Sequence, residues 1–504
     1  MIRALAAAAT LLTTVTLAGC LGGEDTRGSA QEGGTAFVAL GGVPTVRDPA
    51  LASDPTTEAA LWLVYTPPLT YRRAEGEDGT EVIPGVARGL PEVSGDGRTY
   101  SLRVRRGLRF SNGREVRASD IRHSILRASA LGSIGRELFA DVSGISADDR
   151  TGAVHIHLRR PDPSFRHALA AVQAGVVPAG TPMRDSSRRP PPGVGPYRIA
   201  SGRSRRNLDL VRNREFRLPG LPGGFIDVFR LRAPGSAAEQ VEAVRTGQLD
   251  VMTDPPPVGL LPELRSEFGD QYTEHPAMAT RYLAIRAGRG PFEAEGLREA
   301  LAFALDKPEA ARRLAGLVRP SCNLLPPNLP GYAEPDPCPW GDPDEHPDLV
   351  RAQELVEDAG LKGTIVTVKA ERRDLPIARV YVETLRQIGL SASLAEGGRA
   401  DVTFSVARAP LPDPARFLDP LARRVPLFVD PEALLVADEL ASTEDPDKAA
   451  DLAQQLDSEL VGTALAIPYA DVMSTLFLSA RIDTANCARF HPVYGIDLSS
   501  LCIR

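Results

Sequence analysis

Five cysteines, seven histidines and a large set of carboxylates are the side chains in this sequence that could do chemistry. One cysteine stands apart. Leu17-Ala18-Gly19-Cys20 has the form of a lipobox, in which small residues let a peptidase reach the backbone and the thiol takes a diacylglyceryl group. Upstream, Arg3 supplies a single positive charge, and Ala4 to Leu17 contains only Ala, Leu, Val and Thr. That run has the length of a signal-peptide apolar core and is too short to span a bilayer as a helix. Downstream, Gly22 to Gly34 is rich in Gly, Glu, Asp and Ser, the composition of a flexible tether. The alternative is an ordinary secretory signal cut near a chance cysteine.

Removing Cys20 leaves an even set, Cys322, Cys338, Cys487 and Cys502. Exported chains usually pair their cysteines. Three pairings are open, and the two local bridges, Cys322 with Cys338 and Cys487 with Cys502, would each close a loop of about 15 residues and contribute ~3 kcal/mol. A zinc site is the competing use, but this spacing lacks the close pairs that structural zinc prefers.

Nothing else selects a catalytic centre. The sequence has no H-E-x-x-H, no G-x-S-x-G and no phosphate-cradling G-x4-G-K-S/T. His155 and His157 share a strand face in "VHIHL", and two potential metal ligands without a third favour an exposed strand face. No cofactor and no metal is implied. Trp62 and Tyr65, in "EAALWLVYTPPLTYR", stand at helical spacing. They read as a packed helix face or as rings lining a cleft. The formal net charge of −7 argues against a nucleic-acid partner. No second apolar stretch reaches spanning length, so lipid on Cys20 would be the only membrane attachment.

The elements that must hold such residues are legible in places. "RTYSLRVRRGLRF" (98–110) alternates as a half-buried strand, Asn112-Gly113 marks a tight turn, and Ser119-Asp120 opens a helix. Leu297, Leu301, Ala304 and Leu305 make a helical stripe, and Asp306-Lys307-Pro308 restarts a helix with Asp306 as its cap. Leu349 to Ala359 is a stripe stopped at Gly360, before the strand "TIVTVKA". Ala378, Tyr381, Leu385 and Ile388 form another, stopped at Gly389, before "LSASLAE" and "DVTFSVA". Helix, glycine and strand in repetition indicate an α/β unit. Pro-rich breaks fall at 182–196, 253–262 and 324–347. After leader removal about 485 residues remain, enough for two or three packed units.

Taken in order, these segments resemble the extracytoplasmic solute-binding proteins of ABC importers, family 5, the dipeptide-, oligopeptide- and nickel-binding class. The stretch from "IPGVARGLPEV" to "ASDIRHSILR" (83–127) is similar to the family's signature, with its G-x-x-F-x-x-G turn and A-x-D helix start. "GVGPYRI", "VRTGQLDV", "LREALAFALDKPEA", "AIPYADV" and "FHPVYGIDL" resemble further family segments in the family's order, and "CNLLPPNLPGY…PCPW" looks like a form common among actinobacterial members. The resemblance implies an α/β, two-lobed periplasmic-binding-protein-like fold with a hinge between the lobes. Residues 1–19 would be the lipoprotein signal peptide and 20–34 the tether. Lobe I would comprise 35–55, 193–277 and 465–504, with an extra subdomain at 56–192, and lobe II would span 278–464. Cys322–Cys338 would staple a lobe II loop, and Cys487–Cys502 the tail onto lobe I.

The resemblance also implies a mechanism without covalent chemistry: a small-molecule or peptide-like ligand binds between lobes that close by a hinge, and the closed monomer docks on a membrane permease at the outer face of the cell membrane. Peptide binders of the family carry an aspartate for the peptide's amino terminus in a stretch like A-D-Y-x-D-P. Here "ARAPLPDPARFLDP" follows Ala409 with Pro410 and Leu411, so that charge is missing. Asp413 is left to cap the following helix or to meet ligand, and Arg408 favours an anionic group. Solute binding is therefore better supported than peptide binding. Two other readings stay open: a surface lipoprotein of this fold used for sensing or protein contact, and a secreted hydrolase.

Overall fold

The structure is a computed structural model that describes residues 32–504 apart from 202–206, 233–234, 289, 315–316, 336 and 426–429. The leader, Cys20 and most of the tether lie outside the described residues.

Eight strands set the architecture: β1 (Thr35–Ala39), β2 (Val228–Arg232), β3 (Val251–Met252), β4 (Tyr272–Ile285), β5 (Ile365–Lys369), β6 (Ser391–Leu394), β7 (Val402–Arg408) and β8 (Ala466–Leu478). They belong to one eleven-stranded sheet ordered β6-β5-β7-β4-β8-β3-β1-β2, continued by Asn207–Arg212 and Tyr197–Ser201, with Val318–Pro320 paired onto β8. The outer groups pair mainly in parallel, as helix-connected strands do, while β4 and β8 are antiparallel and unusually long. A separate four-stranded antiparallel sheet holds Glu92–Val93, Thr99–Arg103, Ala153–Leu158 and Val142–Asp148.

Apolar residues collect into two large cores. One draws on residues 36–251 and the tail from 476 to 501; the other spans Tyr282 to Ala470. A small third cluster, including Ala39, Val241, Leu264 and Phe477, flanks the first. The chain passes from the first core to the second along β4 and returns along β8. Their ladder slips between Pro276 and Thr280, because Pro276 has no N–H to donate. Asn328 Nδ2 donates to the Pro276 carbonyl at 3.0 Å.

Local chemistry explains the boundaries. Val366 and Val368 of β5 are buried while Ile365 and Lys369 face outward, the period-2 pattern of a strand with one covered face. The helix Leu349–Asp358 and the later Leu375–Gln387 both end before a glycine in the left-handed region, Gly360 at φ 66° and Gly389 at φ 92°, where a side chain would be strained. Asp306 caps Lys307–Arg313 by accepting from Glu309 N at 2.8 Å.

Three expectations shift. The strand at 98–110 is confined to Thr99–Arg103. The helix after it, Ala118–Leu131, starts before Asp120, which sits inside the first turn and accepts from Arg117 N at 2.8 Å. The helix carrying Trp62 spans Pro55–Trp62 and stops short of Tyr65, since the Pro67-Pro68 pair cannot continue it. Both local cysteine pairs are disulfides, Cys322–Cys338 and Cys487–Cys502.

Candidate functional site

Strand direction locates the site. Arg408, the carboxyl end of β7, lies beside Ala279, close to the middle of β4. Met252, the carboxyl end of β3, lies beside Phe477, and the chain continuing from it moves toward the middle of β8. β1 and β2 run parallel to β3, and β5 parallel to β7. The parallel strands of both halves therefore aim their carboxyl ends at the same slipped stretch of the two crossing strands. In open α/β sheets ligands bind at such carboxyl ends, where chain reversals leave a crevice.

The second-core wall of this cleft is built on the loop after β7. Helix α1 (Pro414–Ala422) is capped by Asp413, whose Oδ1 accepts from Ala415 N at 2.9 Å and Arg416 N at 3.3 Å. Asp413 is buried and spent on this cap. Arg408 is different. Burial first, then the positive charges of Arg281 and Arg373, holds its guanidinium below the ordinary arginine value. Arg281 is neutralised by Asp374, Nη1 to Oδ1 2.5 Å. Arg408 and Arg373 have no ion pair among the described residues.

The opposite wall is aromatic. The Arg73 guanidinium lies 3.2 Å from the Trp62 ring centroid, and its Nη1 meets Asp497 Oδ1 at 2.8 Å. The Trp62 ring packs 4.5 Å from Tyr494, and Tyr71 stacks on His167 at 5.9 Å. Burial raises the Tyr71 hydroxyl, helped by Tyr494, Asp413 and Glu58. Burial also lowers His167 against the pull of Asp413, and with Arg73 it drives His491 down to about 3, so that ring stays neutral. Asp413 acts on Tyr71 and His167 across the cleft, which sets the two walls face to face. The walls also touch directly: Arg416 Nη2 meets Asp162 Oδ2 at 2.5 Å, beside a cavity of about 250 Å³ bounded by Asp141 and Arg160 on one side and Pro410 and Asp419 on the other.

The structure thus brings Arg408 and Asp413 to one wall and sets Trp62 into the other at 2% exposure, its Nε1 donating to Thr70 Oγ1 at 3.3 Å. Tyr65 is 0% exposed, its hydroxyl 3.1 Å from the Arg47 carbonyl and 3.0 Å from that of Pro191. His155 and His157 are exposed and pair with Ser101 and Thr99. Sequence reasoning missed Glu58. This half-buried carboxylate accepts from Gln173 Nε2 at 2.8 Å, has no cationic partner among the described residues, and is raised by burial. Its signal was weak: an acidic residue early in a helix normally reads as a complement to the helix dipole.

Two α/β halves joined by two crossing strands, with facing carboxyl-end walls, define a two-lobed binding protein. The profile of the bacterial extracellular solute-binding proteins, family 5 Middle, matches residues 81–419, and the chain belongs to this family. The glutathione-binding protein GsiB of Escherichia coli O1:K1 is 25% identical over 369 residues, 71% of this chain and 68% of the relative. Among solved structures, a clavulanic acid biosynthesis oligopeptide-binding protein superposes with a TM-score of 0.83 at 21% identity, covering 94% of this chain and 96% of its own. HbpA2 of Haemophilus parasuis gives 0.81 at 17% identity, with 94% and 100% covered. The unliganded open form of MppA, a periplasmic murein tripeptide-binding protein, gives 0.78 at 17%, with 94% and 98% covered. No helix among the described residues is long and apolar enough to cross a membrane.

Proposed function

We propose that this protein is a lipid-anchored receptor of an ABC importer that captures a peptide-like or other small polar solute between its lobes and delivers it to a permease. The observation that carries this reading is the convergence of both lobes' carboxyl strand ends on the slipped ladder of β4 and β8. We place lobe I at 35–55, 193–277 and 465–504, its subdomain at 56–192 and lobe II at 278–464. Cys20 would carry the lipid at the outer face of the cell membrane, residues 20–34 would give the reach, and the monomer would bind and not catalyse.

The charges select the ligand. Arg408 and Arg373 favour an anionic group at the lobe II wall, and Glu58 offers the one unpaired carboxylate identified on the lobe I wall. Asp413, spent on its helix cap, is not available for an ammonium group. The ligand class is therefore a solute with a carboxylate or similar anion toward lobe II and a cationic or hydrogen-bonding group toward lobe I. The test is a thermal-shift screen of such solutes followed by solution scattering. A ligand raises Tm by mass action and compacts the protein. A broad screen that gives neither shift would remove the transport reading and leave sensing or protein contact. Cys20→Ala should release the protein into the medium; retention in the membrane fraction would refute the anchor.

A further inference from the structure

A second concave site lies outside the cleft, between the four-stranded sheet and the loop after Asn207–Arg212. Its volume is about 610 Å³, and Arg88, Arg103, Arg105, Arg106 and Arg217 all line it. No carboxylate lines it among the described residues. The floor is apolar, with Val104 and Leu108 buried beneath. Five like charges around one hollow repel one another, and the chain as a whole carries −7, so this concentration runs against its composition. Arg105 is oriented by Nε donating to the Gly85 carbonyl at 3.0 Å, and Arg217 by Nη1 donating to its own loop, to the Arg214 carbonyl at 2.9 Å. Arg88, Arg103 and Arg106 make no side-chain hydrogen bond or ion pair among the described residues. Their donors are unspent.

We propose that this pocket binds a ligand with two or more phosphate groups, or a phosphodiester with an apolar part that covers Val104 and Leu108. Guanidinium forks match phosphate oxygens two at a time, and arginine is weakly hydrated enough to give up its water there. One small anion would leave most of the five cations unpaired, so the ligand presents several phosphates on one molecule or, as an anionic lipid surface does, several headgroups side by side. The cations come from separate chain segments, the 85–90 loop, the strand Thr99–Arg103 with its following turn, and the 213–220 loop, so a bound polyanion ties lobe I to its subdomain. The site shares no lining residue with the cavity between the walls, and the proposal does not depend on what the cleft binds.

The test is titration calorimetry of the full chain with sodium pyrophosphate at low ionic strength. The expected result is saturable binding whose Kd rises at least tenfold in R103E/R106E and in R88E/R217E, two pairs on different segments of the rim, with little change in R399E, an exposed arginine that lines neither site. These arginines are exposed except Arg105, which is left intact, so both variants should keep the wild-type melting curve. No binding by the wild type, or binding kept in both paired variants, would overturn the proposal. Co-sedimentation with phosphatidylglycerol vesicles, against phosphatidylcholine alone, identifies the source: sedimentation lost in R103E/R106E assigns a lipid headgroup, and pyrophosphate binding without sedimentation assigns a soluble phosphate anion.

Discussion

Behind the lobe I wall, Arg127 is enclosed on every side. Its Nη1 and Nη2 meet the Asp48 carboxylate at 2.9 and 2.7 Å, and Nε and Nη2 donate to the carbonyls of Pro182 and Arg184. On the lobe II wall, Arg408 and Arg373 have no carboxylate partner among the described residues. The same side chain is used in opposite ways. In lobe I it locks the loop leaving β1 to the subdomain helix Ala118–Leu131 and to the chain at 182–186, and fixes the shape of the wall. In lobe II it has no ion pair among the described residues, which is what the proposed anion-binding role requires. The lesson is that a binding cleft can divide shape and charge between its walls.

The strongest way to break this comparison is Arg127→Met. It strands the Asp48 carboxylate in a buried site, where Ser186 N at 2.9 Å is the closest remaining donor. Removing one partner of a buried pair costs about 3–5 kcal/mol. Urea unfolding should show a loss of that size, and a loss below ~1 kcal/mol would mean that the pair does not hold the wall. Arg408→Glu should do the reverse. Affinity for an anionic solute falls by about 1.5–3 kcal/mol, the scale of a charge-assisted hydrogen bond, while the unfolding midpoint barely moves. If both variants change stability and affinity alike, the division of labour is wrong.

The buried carboxylates sharpen it further. In lobe I, Asp48 and Asp497 each face an arginine. In lobe II, Asp457 is pushed up to about 7 by burial, held only partly in check by the N–H groups of Leu325 and Leu324. Asp471, on the returning strand β8 that belongs to lobe I, is also raised to about 7 by burial in spite of Arg319, so the contrast between the lobes rests on Asp457. A carboxyl raised in the folded state stabilises the fold below its unfolded value, and that contribution is lost as pH rises through the folded value. Thermal stability should therefore fall as pH rises from about 4, the ordinary aspartate value, to about 7, where these carboxyls ionise in the fold. Asp457→Asn keeps an acceptor oxygen for the two N–H groups and cannot ionise. A melting profile against pH that keeps its full slope in this variant would put the effect elsewhere.

Much of this fold was readable before any coordinates because lobe II writes its pattern locally. The stripes at 349–359 and 378–388, each closed by a glycine and followed by a strand of alternating apolar residues, need no long-range knowledge. The cysteine pairs were legible for the same reason, lying 16 and 15 residues apart. The walls were harder. Arg408 was visible because it stands next to Pro410, where the family pattern breaks. Glu58 was not, since its partner Gln173 is 115 positions away and its lack of a counter-ion appears only when the loops after β1 are folded. Tyr65 illustrates the opposite limit. Spacing placed it with Trp62, but Pro67-Pro68 ended the helix and turned its hydroxyl toward backbone carbonyls.

The smallest expected effect concerns an ion pair that bridges the walls beside the cavity. Arg416 stands at the start of α1, Asp162 in the subdomain, and their side chains are 38% and 13% exposed. An ion pair exposed to this degree contributes only about 0.2–1 kcal/mol, which is too little to hold the lobes shut and enough to bias a hinge whose states differ by a similar amount. Burial raises the Asp162 carboxyl even with Arg416 beside it, since desolvation outweighs the attraction. Acidification should therefore uncharge Asp162 before an ordinary aspartate and loosen the bridge. Arg416→Ala should raise the radius of gyration of the unliganded protein, abolish the part of that radius that depends on salt, and leave the unfolding free energy unchanged. If the variant scatters like the wild type at low and high salt, the pair is a surface contact, and closure rests on the ligand meeting Arg408 and Glu58 together.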